Sequence, residues 1–308
     1  MTVALYTHVD MLDHRPGAGH PERPERLRAV TDALSDSDLH LVLRDAPLAE
    51  EGDLARVHPQ SYLDAIFNAA PRAGGVLRLD PDTVMSAGSL NAARRAAGAV
   101  VSAVRDVAAG EADRAFCAVR PPGHHAEPTN AMGFCIFSNV AVAARAAQDA
   151  GLSRVAVVDF DIHHGNGTQA AFDGREGLFF ASIQQWPMWP GTGHPSEATA
   201  DNVVNAVSPA GAPREVWRKA FESLMPKIDA FAPDLIIVSA GFDAHVRDPI
   251  GEPGQSLEAE DFAWATRAIV DVANRHAQGR VVSSLEGGYD LQALGASALA
   301  HVRALDQA

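Results

Sequence analysis

The string Val157-Val158-Asp159-Phe160-Asp161-Ile162-His163-His164-Gly165-Asn166-Gly167 sets two carboxylates and an imidazole at alternate positions behind an apolar run. Alternate side chains of a strand share a face, so Asp159, Asp161 and His163 point to one side at the strand's end, and the glycines let the chain turn sharply into the next helix. Carboxylates crowded together repel unless a cation or proton intervenes, and a divalent metal is the simplest occupant of such a set. A strand ending in helix-capping polar residues gives the same string. A second apolar run, at 235–238, also ends in a carboxylate, in Ser239-Ala240-Gly241-Phe242-Asp243. Asp161, His163 and Asp243 would make a three-ligand site with open positions for water and substrate, as in a catalytic metal centre. A Cys-rich structural zinc site is excluded, because the chain has 2 cysteines, Cys117 and Cys135.

Three further groups have chemical potential. His124 and His125 follow Pro121-Pro122-Gly123, a rigid turn that would hold two imidazoles over a cleft as base and acid near neutral pH. Tyr289 follows Glu286-Gly287-Gly288, where close backbone approach would let a phenolic OH meet a developing oxyanion. Phe134 and Trp189 would line a narrow apolar channel, or simply pack neighbouring loops together.

Short apolar runs at 3–7, 39–43, 115–119, 155–160, 178–183, 203–207, 235–238 and 281–285 read as strands. Between them, helical periodicity covers 24–34, 60–70, 89–108, 139–150, 214–230, 259–276 and 291–305. The alternation predicts an α/β fold, a three-layer open, mainly parallel sheet flanked by helices, in one domain spanning 1–308. The Pro- and Gly-rich loops follow strands directly, so they would cluster outside the strands' carboxyl ends, where open parallel sheets place ligands. With 308 residues, 47% of them hydrophobic, the chain is enzyme-sized. Its formal charge of −14 disfavours direct binding of nucleic acid or an anionic membrane and suits a cationic substrate. The few cysteines, the lack of a signal-like start and the absence of any apolar stretch near about 18 residues point to a cytoplasmic protein that neither spans nor binds membranes.

Taken in order, Gly19-His20-Pro21-Glu22-Arg23-Pro24-Glu25-Arg26, Arg120-Pro121-Pro122-Gly123-His124-His125-Ala126, Gly133-Phe134-Cys135-Ile136-Phe137-Ser138-Asn139, Asp159 to Thr168, Pro190-Gly191-Thr192-Gly193, Ala240-Gly241-Phe242-Asp243-Ala244 and Leu285-Glu286-Gly287-Gly288-Tyr289 resemble the zinc-dependent histone deacetylase superfamily. The resemblance covers nearly the whole chain. His125-Ala126-Glu127-Pro128 through Cys135, and Asn166 where class I members place an aspartate, are similar to the class II branch and its bacterial relatives.

The resemblance implies the arginase–deacetylase fold with Asp161, His163 and Asp243 as zinc ligands. It makes His125 the base towards the attacking water and then the acid towards the leaving amine. His124, held by Asp159, supplies electrostatic support, Asn166 orients His125, and Tyr289 stabilises the oxyanion. Because an amide lacks an aspartate's charge, His125 should be less basic than in class I relatives. The resemblance also implies K⁺ or Na⁺ on main-chain carbonyls at Asp159, Asp161, His163, Ser182 and Ile183, and assigns no metal to His164. Phe134, Met188, Trp189, Ile250 and Gly288 stand along its acyl channel. Two carboxylates and one imidazole would equally accept Fe²⁺ or another divalent ion.

The function expected is a deacetylase acting on acetyl-lysine in a peptide or on a small acetylated amine, as a monomer or a homo-oligomer. The segment 79–86 runs into the next helix without the insertion typical of acetylpolyamine hydrolases, which favours a more open site over a dedicated polyamine enzyme. A non-catalytic acyl-group-binding protein would have no need of Tyr289 together with His124 and His125. A ureohydrolase would need more Asp and His ligands for its two manganese ions.

Overall fold

A computed structural model describes residues 2–251 and 254–307; the two ends of the expected 1–308 domain lie outside the described residues. In chain order the elements are β1 (Val3–Thr7), α1 (Pro24–Ser35), β2 (Leu41–Asp45), α2 (Glu51–Leu54), α3 (Gln60–Ala69), β3 (Val76–Arg78), β4 (Val84–Ser86), α4 (Ser89–Ala109), β5 (Arg114–Cys117), α5 (Asn139–Asp149) and β6 (Val155–Asp159). They continue as α6 (Asn166–Phe172), β7 (Leu178–Trp186), β8 (Val203–Pro209), α7 (Arg214–Glu222), α8 (Met225–Phe231), β9 (Leu235–Ala240), α9 (Ala259–His276), β10 (Val281–Leu285) and α10 (Leu291–Gln307). Among the described residues no helix is long and apolar enough to cross a membrane.

Eight strands form one sheet in the order β2-β1-β5-β10-β9-β6-β7-β8, and neighbours pair in parallel throughout. β5, β6, β9 and β10 are buried along their full length, as parallel strands covered on both faces must be; hence their continuous Val, Ile, Leu and Ala runs. One group of helices, α1, α10 and α9, packs side by side, and α4 packs on α5 in another. This is the expected α/β architecture. Its four central strands, β5, β10, β9 and β6, stand next to one another with their carboxyl ends on one edge, and the loops that leave those ends carry the residues singled out above.

Three expectations differ from the structure. Periodicity predicted one helix over 214–230, but the chain makes two, α7 and α8, because Pro226 has no N–H to give and its ring would strike the carbonyl four residues earlier. The predicted strand 39–43 sits two residues later as β2, in register with β1 from Val3 beside Leu41, while Leu39 packs against the core instead. The segment 79–86 does not run straight on: it closes an antiparallel hairpin of β3 and β4, strands of three residues that are too short to show a period.

Candidate active site

The end of β6 folds back on itself through its own carboxylates. Asp161 N donates to Asp159 Oδ1 at 3.1 Å, and His163 N donates to Asp161 Oδ1 at 2.9 Å. Asp243, from the end of β9, joins them by accepting from Ile162 N at 3.0 Å. His163 Nδ1 then lies 3.1 Å from both Asp161 Oδ1 and Asp243 Oδ2. All three side chains are buried, and one donor atom from each lies within 4.8 Å of the others. Gly287, from the end of β10, closes the floor, where any side chain would collide with the Asp161 and Asp243 carboxylates.

This donor set fits a divalent cation. Burial and the neighbouring Asp161 push Asp243 up from the ordinary carboxylate range. Burial opposes charge on His163, but Asp161 and Asp243 overcome it and raise its pKa to about 10. Two buried carboxylates thus demand a compensating positive charge at the position a metal ion would take. In the sheet register Ser182 of β7 lies beside Asp159, and beyond it Gln185 N donates to Ile162 O at 2.9 Å.

Two imidazoles overlook it, and their partners differ. His124 Nδ1 meets Asp159 Oδ2 at 3.0 Å, and its Nε2 lies 3.7 Å from Asp161 Oδ2. Burial works against charge there, but Asp161 and Asp159 win and carry His124 up to about 10. His125 Nδ1 meets an amide instead, Asn166 Oδ1 at 2.8 Å. Burial, with repulsion from His124 and His163, holds His125 well below the usual histidine value. With ring centroids only 3.9 Å apart, the two imidazoles are thus pushed in opposite directions, His124 towards the charged form and His125 towards the neutral one.

Above them is a slot of about 50 Å³ lined by His125, Gly133, Phe134, His163, Trp189, Ile250 and Tyr289. Gly133 has φ +55 and sits between the His125 and Trp189 rings, where a side chain would strike both. Phe134 packs edge-on to Tyr289 with centroids 5.9 Å apart. Burial keeps the Tyr289 phenol protonated by raising its pKa well above the ordinary value, so it is a donor at any working pH. Met188 and Gly288 are not among the lining residues. Met188 packs against the core, and the Gly288 carbonyl accepts from Arg26 Nε at 2.6 Å beneath the slot. A roomier cleft of about 600 Å³ along 12–28 holds none of the converging groups.

Several supporting residues carry no signal in the sequence pattern. Glu286 accepts from Gly123 N at 2.7 Å and His124 N at 3.1 Å, which fixes the histidine turn. Asp248 accepts from Tyr289 N at 2.6 Å. Buried Arg26 lies 4.7 Å over the Tyr289 ring and bonds Glu22, which also takes a two-pronged bond from Arg120 at 2.7 Å on each side. Phe134 N donates to Thr83 Oγ1 at 3.0 Å. Glu286, Glu22, Arg26 and Arg120 all lie inside the motifs quoted above, but no period or spacing says which way they face.

A family profile described as the histone deacetylase domain matches residues 20–305. The chain is 40% identical over 285 residues to the histone deacetylase-like amidohydrolase of Pseudomonas aeruginosa, covering 88% of this chain and 73% of that one. It is 34% identical over 301 residues to a probable deacetylase of Archaeoglobus fulgidus, covering 95% and 82%. Among solved structures it is similar to the crystal structure of the HDA15 HD domain, with a TM-score of 0.91 at 33% identity over 99% of this chain and 89% of that one.

Proposed function

Since the chain belongs to the histone deacetylase family, we propose that it is a zinc-dependent amidohydrolase that removes the acetyl group from acetyl-lysine in a peptide or from a related small acetylated amine. The observation that carries this reading is convergence: His163 of the buried Asp161–His163–Asp243 group, the His125 imidazole and the Tyr289 phenol all line one slot, together with Phe134 and Trp189. Held by these three residues, a divalent ion would polarise the amide carbonyl and acidify water.

The protein's own groups do the rest. His125 has Nδ1 committed to Asn166, so its Nε2 is the acceptor for a proton of the attacking water and later returns that proton to the leaving amine. His124, charged between Asp159 and Asp161, adds positive potential beside the reacting carbonyl. Tyr289 donates its OH to the carbonyl oxygen as charge builds there. Phe134, Trp189 and Ile250 exclude water from the acyl-bearing chain and hold it in line. The products are acetate and the free amine. The pairing of Asp159 with Ser182 supports a second, structural site for K⁺ or Na⁺ on the carbonyls of Asp159, Asp161, His163, Ser182 and Ile183.

The test is a turnover screen over acetyl-lysine peptides, acetylated polyamines and longer acyl-lysines. Acetate release from the first two classes supports the reading, and no release from any of them by zinc-loaded protein refutes it.

A further inference from the structure

The amide of Asn166 presents a problem that an aspartate at that position would not. Its two ends have the same shape, one accepting and the other donating. Only the accepting end can take the proton of His125 Nδ1. With the amide turned round, its NH₂ would face Nδ1, force that nitrogen to be the acceptor, and move the ring proton to Nε2. The base would then face its substrate with a proton already in place.

The structure contains a residue that removes the ambiguity. Asn166 Nδ2 donates to Glu127 Oε1 at 2.9 Å, and its other contacts are weaker, to Met132 Sδ at 3.4 Å and His125 O at 3.5 Å. A carboxylate can only accept, so Glu127 admits only the NH₂ end. The Glu127 backbone is itself pinned in a turn, its N donating to Asn130 O at 2.9 Å and its O accepting from Asn130 N at 3.3 Å. We infer that Glu127 is a positioning residue for the deacetylation: by fixing the direction of the Asn166 amide, it dictates that His125 carries its proton on Nδ1 and leaves Nε2 free. The inference rests on the deacetylase reading, and its test separates the two.

Glu127→Gln keeps the shape but lets the side chain at this position donate as well as accept, so the Asn166 amide can turn. The change should lower kcat about tenfold, in the range of losing a partner of a site residue, with KM within twofold and the fold intact. Asn166→Asp alone would set two carboxylates 2.9 Å apart and should also lower kcat. The double variant Glu127→Gln/Asn166→Asp restores a donor–acceptor pair with the opposite polarity: the introduced amide donates to the introduced carboxylate, which in turn accepts from His125. It should recover kcat to within about threefold of wild type, a rescue that mere loss of packing cannot give.

A second readout needs no turnover. In ¹⁵N-histidine correlation spectra the His125 ring should be in the Nδ1–H form in wild type and the double variant, and a mixture with the Nε2–H form in Glu127→Gln. If Glu127→Gln keeps kcat within twofold and the tautomer unchanged, or if the double variant is no better than the worse single, the inference is wrong. A wild type inactive on every acetylated substrate, with the tautomer still responding to Glu127→Gln, would overturn the deacetylase reading and leave the orienting role standing.

Discussion

The floor of the site and its walls are built in opposite ways. Asp161, His163, Asp243 and the two histidines are buried beyond the carboxyl ends of the central strands, held by backbone N–H groups that donate to the carboxylates of Asp159, Asp161, Asp243 and Glu286. Phe134, Trp189 and Ile250 belong to loops, and Trp189 is 43% exposed. One ring fastens the Phe134 loop at both ends: His58 bonds Pro128 O through Nδ1 at 3.0 Å and accepts from Ser138 N at 3.0 Å. The difference teaches that chemistry is invested in the rigid sheet, while substrate fit is left to segments whose geometry depends on a few anchors. Damage to the floor should therefore remove catalysis, and damage to the walls should change only what is accepted and under what conditions.

The largest effect should come from the floor. Asp161→Ala, His163→Ala or Asp243→Ala should each lose bound metal, and kcat should fall by more than about 10³, as expected when water must be activated unaided. Metal analysis of the purified variants checks this, and full occupancy in any one of them would break the assignment for that residue. Next, Tyr289→Phe should lower kcat by about 10²–10³ with metal content unchanged, the range for one oxyanion donor. A variant that binds a hydroxamate normally and also turns over normally would exclude the role.

A wall anchor should show itself in pH rather than in rate. Burial holds His58 down at about 4, whereas an unfolded histidine titrates near 6.5. The unfolded chain therefore binds the proton first, so the stabilisation is complete above about pH 6.5 and is lost as pH falls towards 4, by about 3 kcal/mol in all. Urea midpoints measured from pH 7 to pH 4 should show this fall, and His58→Gln should make it shallower, the rest coming from His164 and His301, which burial also holds down; equal slopes in the two proteins would disprove the account. Smaller still, Trp189→Ala should reduce kcat/KM for acetyl-lysine peptides by about tenfold, chiefly through KM, as for one apolar contact in a channel. Finally, walls without a dedicated amine-recognising group should leave kcat/KM for an acetyl-lysine peptide within about tenfold of that for acetylputrescine, roughly 1.4 kcal/mol. A preference for polyamines above about a hundredfold would break the open-slot reading.

The same contrast explains what was legible in the sequence. Floor residues follow strands whose burial on both faces leaves an unmistakable apolar run, but a period of two does not place Asp161 and His163: β6 ends at Asp159, and a turn held by the Asp159 and Asp161 carboxylates brings the three together. Walls offer no period. Trp189 and Met188 are adjacent apolar loop residues, and only the backbone's path decides that the first lines the slot while the second turns to the core. Glu127 was equally invisible, because its contact with Asn166 joins positions 39 apart through a loop without regular geometry. Pro226, by contrast, carries its own physical signal; periodicity on both sides of it simply outweighed the break.

The central claim is tested most directly by acetate release from an acetyl-lysine peptide, measured on one preparation of the protein after chelation and again after stoichiometric Zn²⁺ is added, with Asp243→Ala carried in parallel. Turnover should vanish on chelation and return with Zn²⁺ in the wild type but not in the variant. Undiminished hydrolysis by the metal-stripped wild type, or equal recovery by Asp243→Ala, would contradict it.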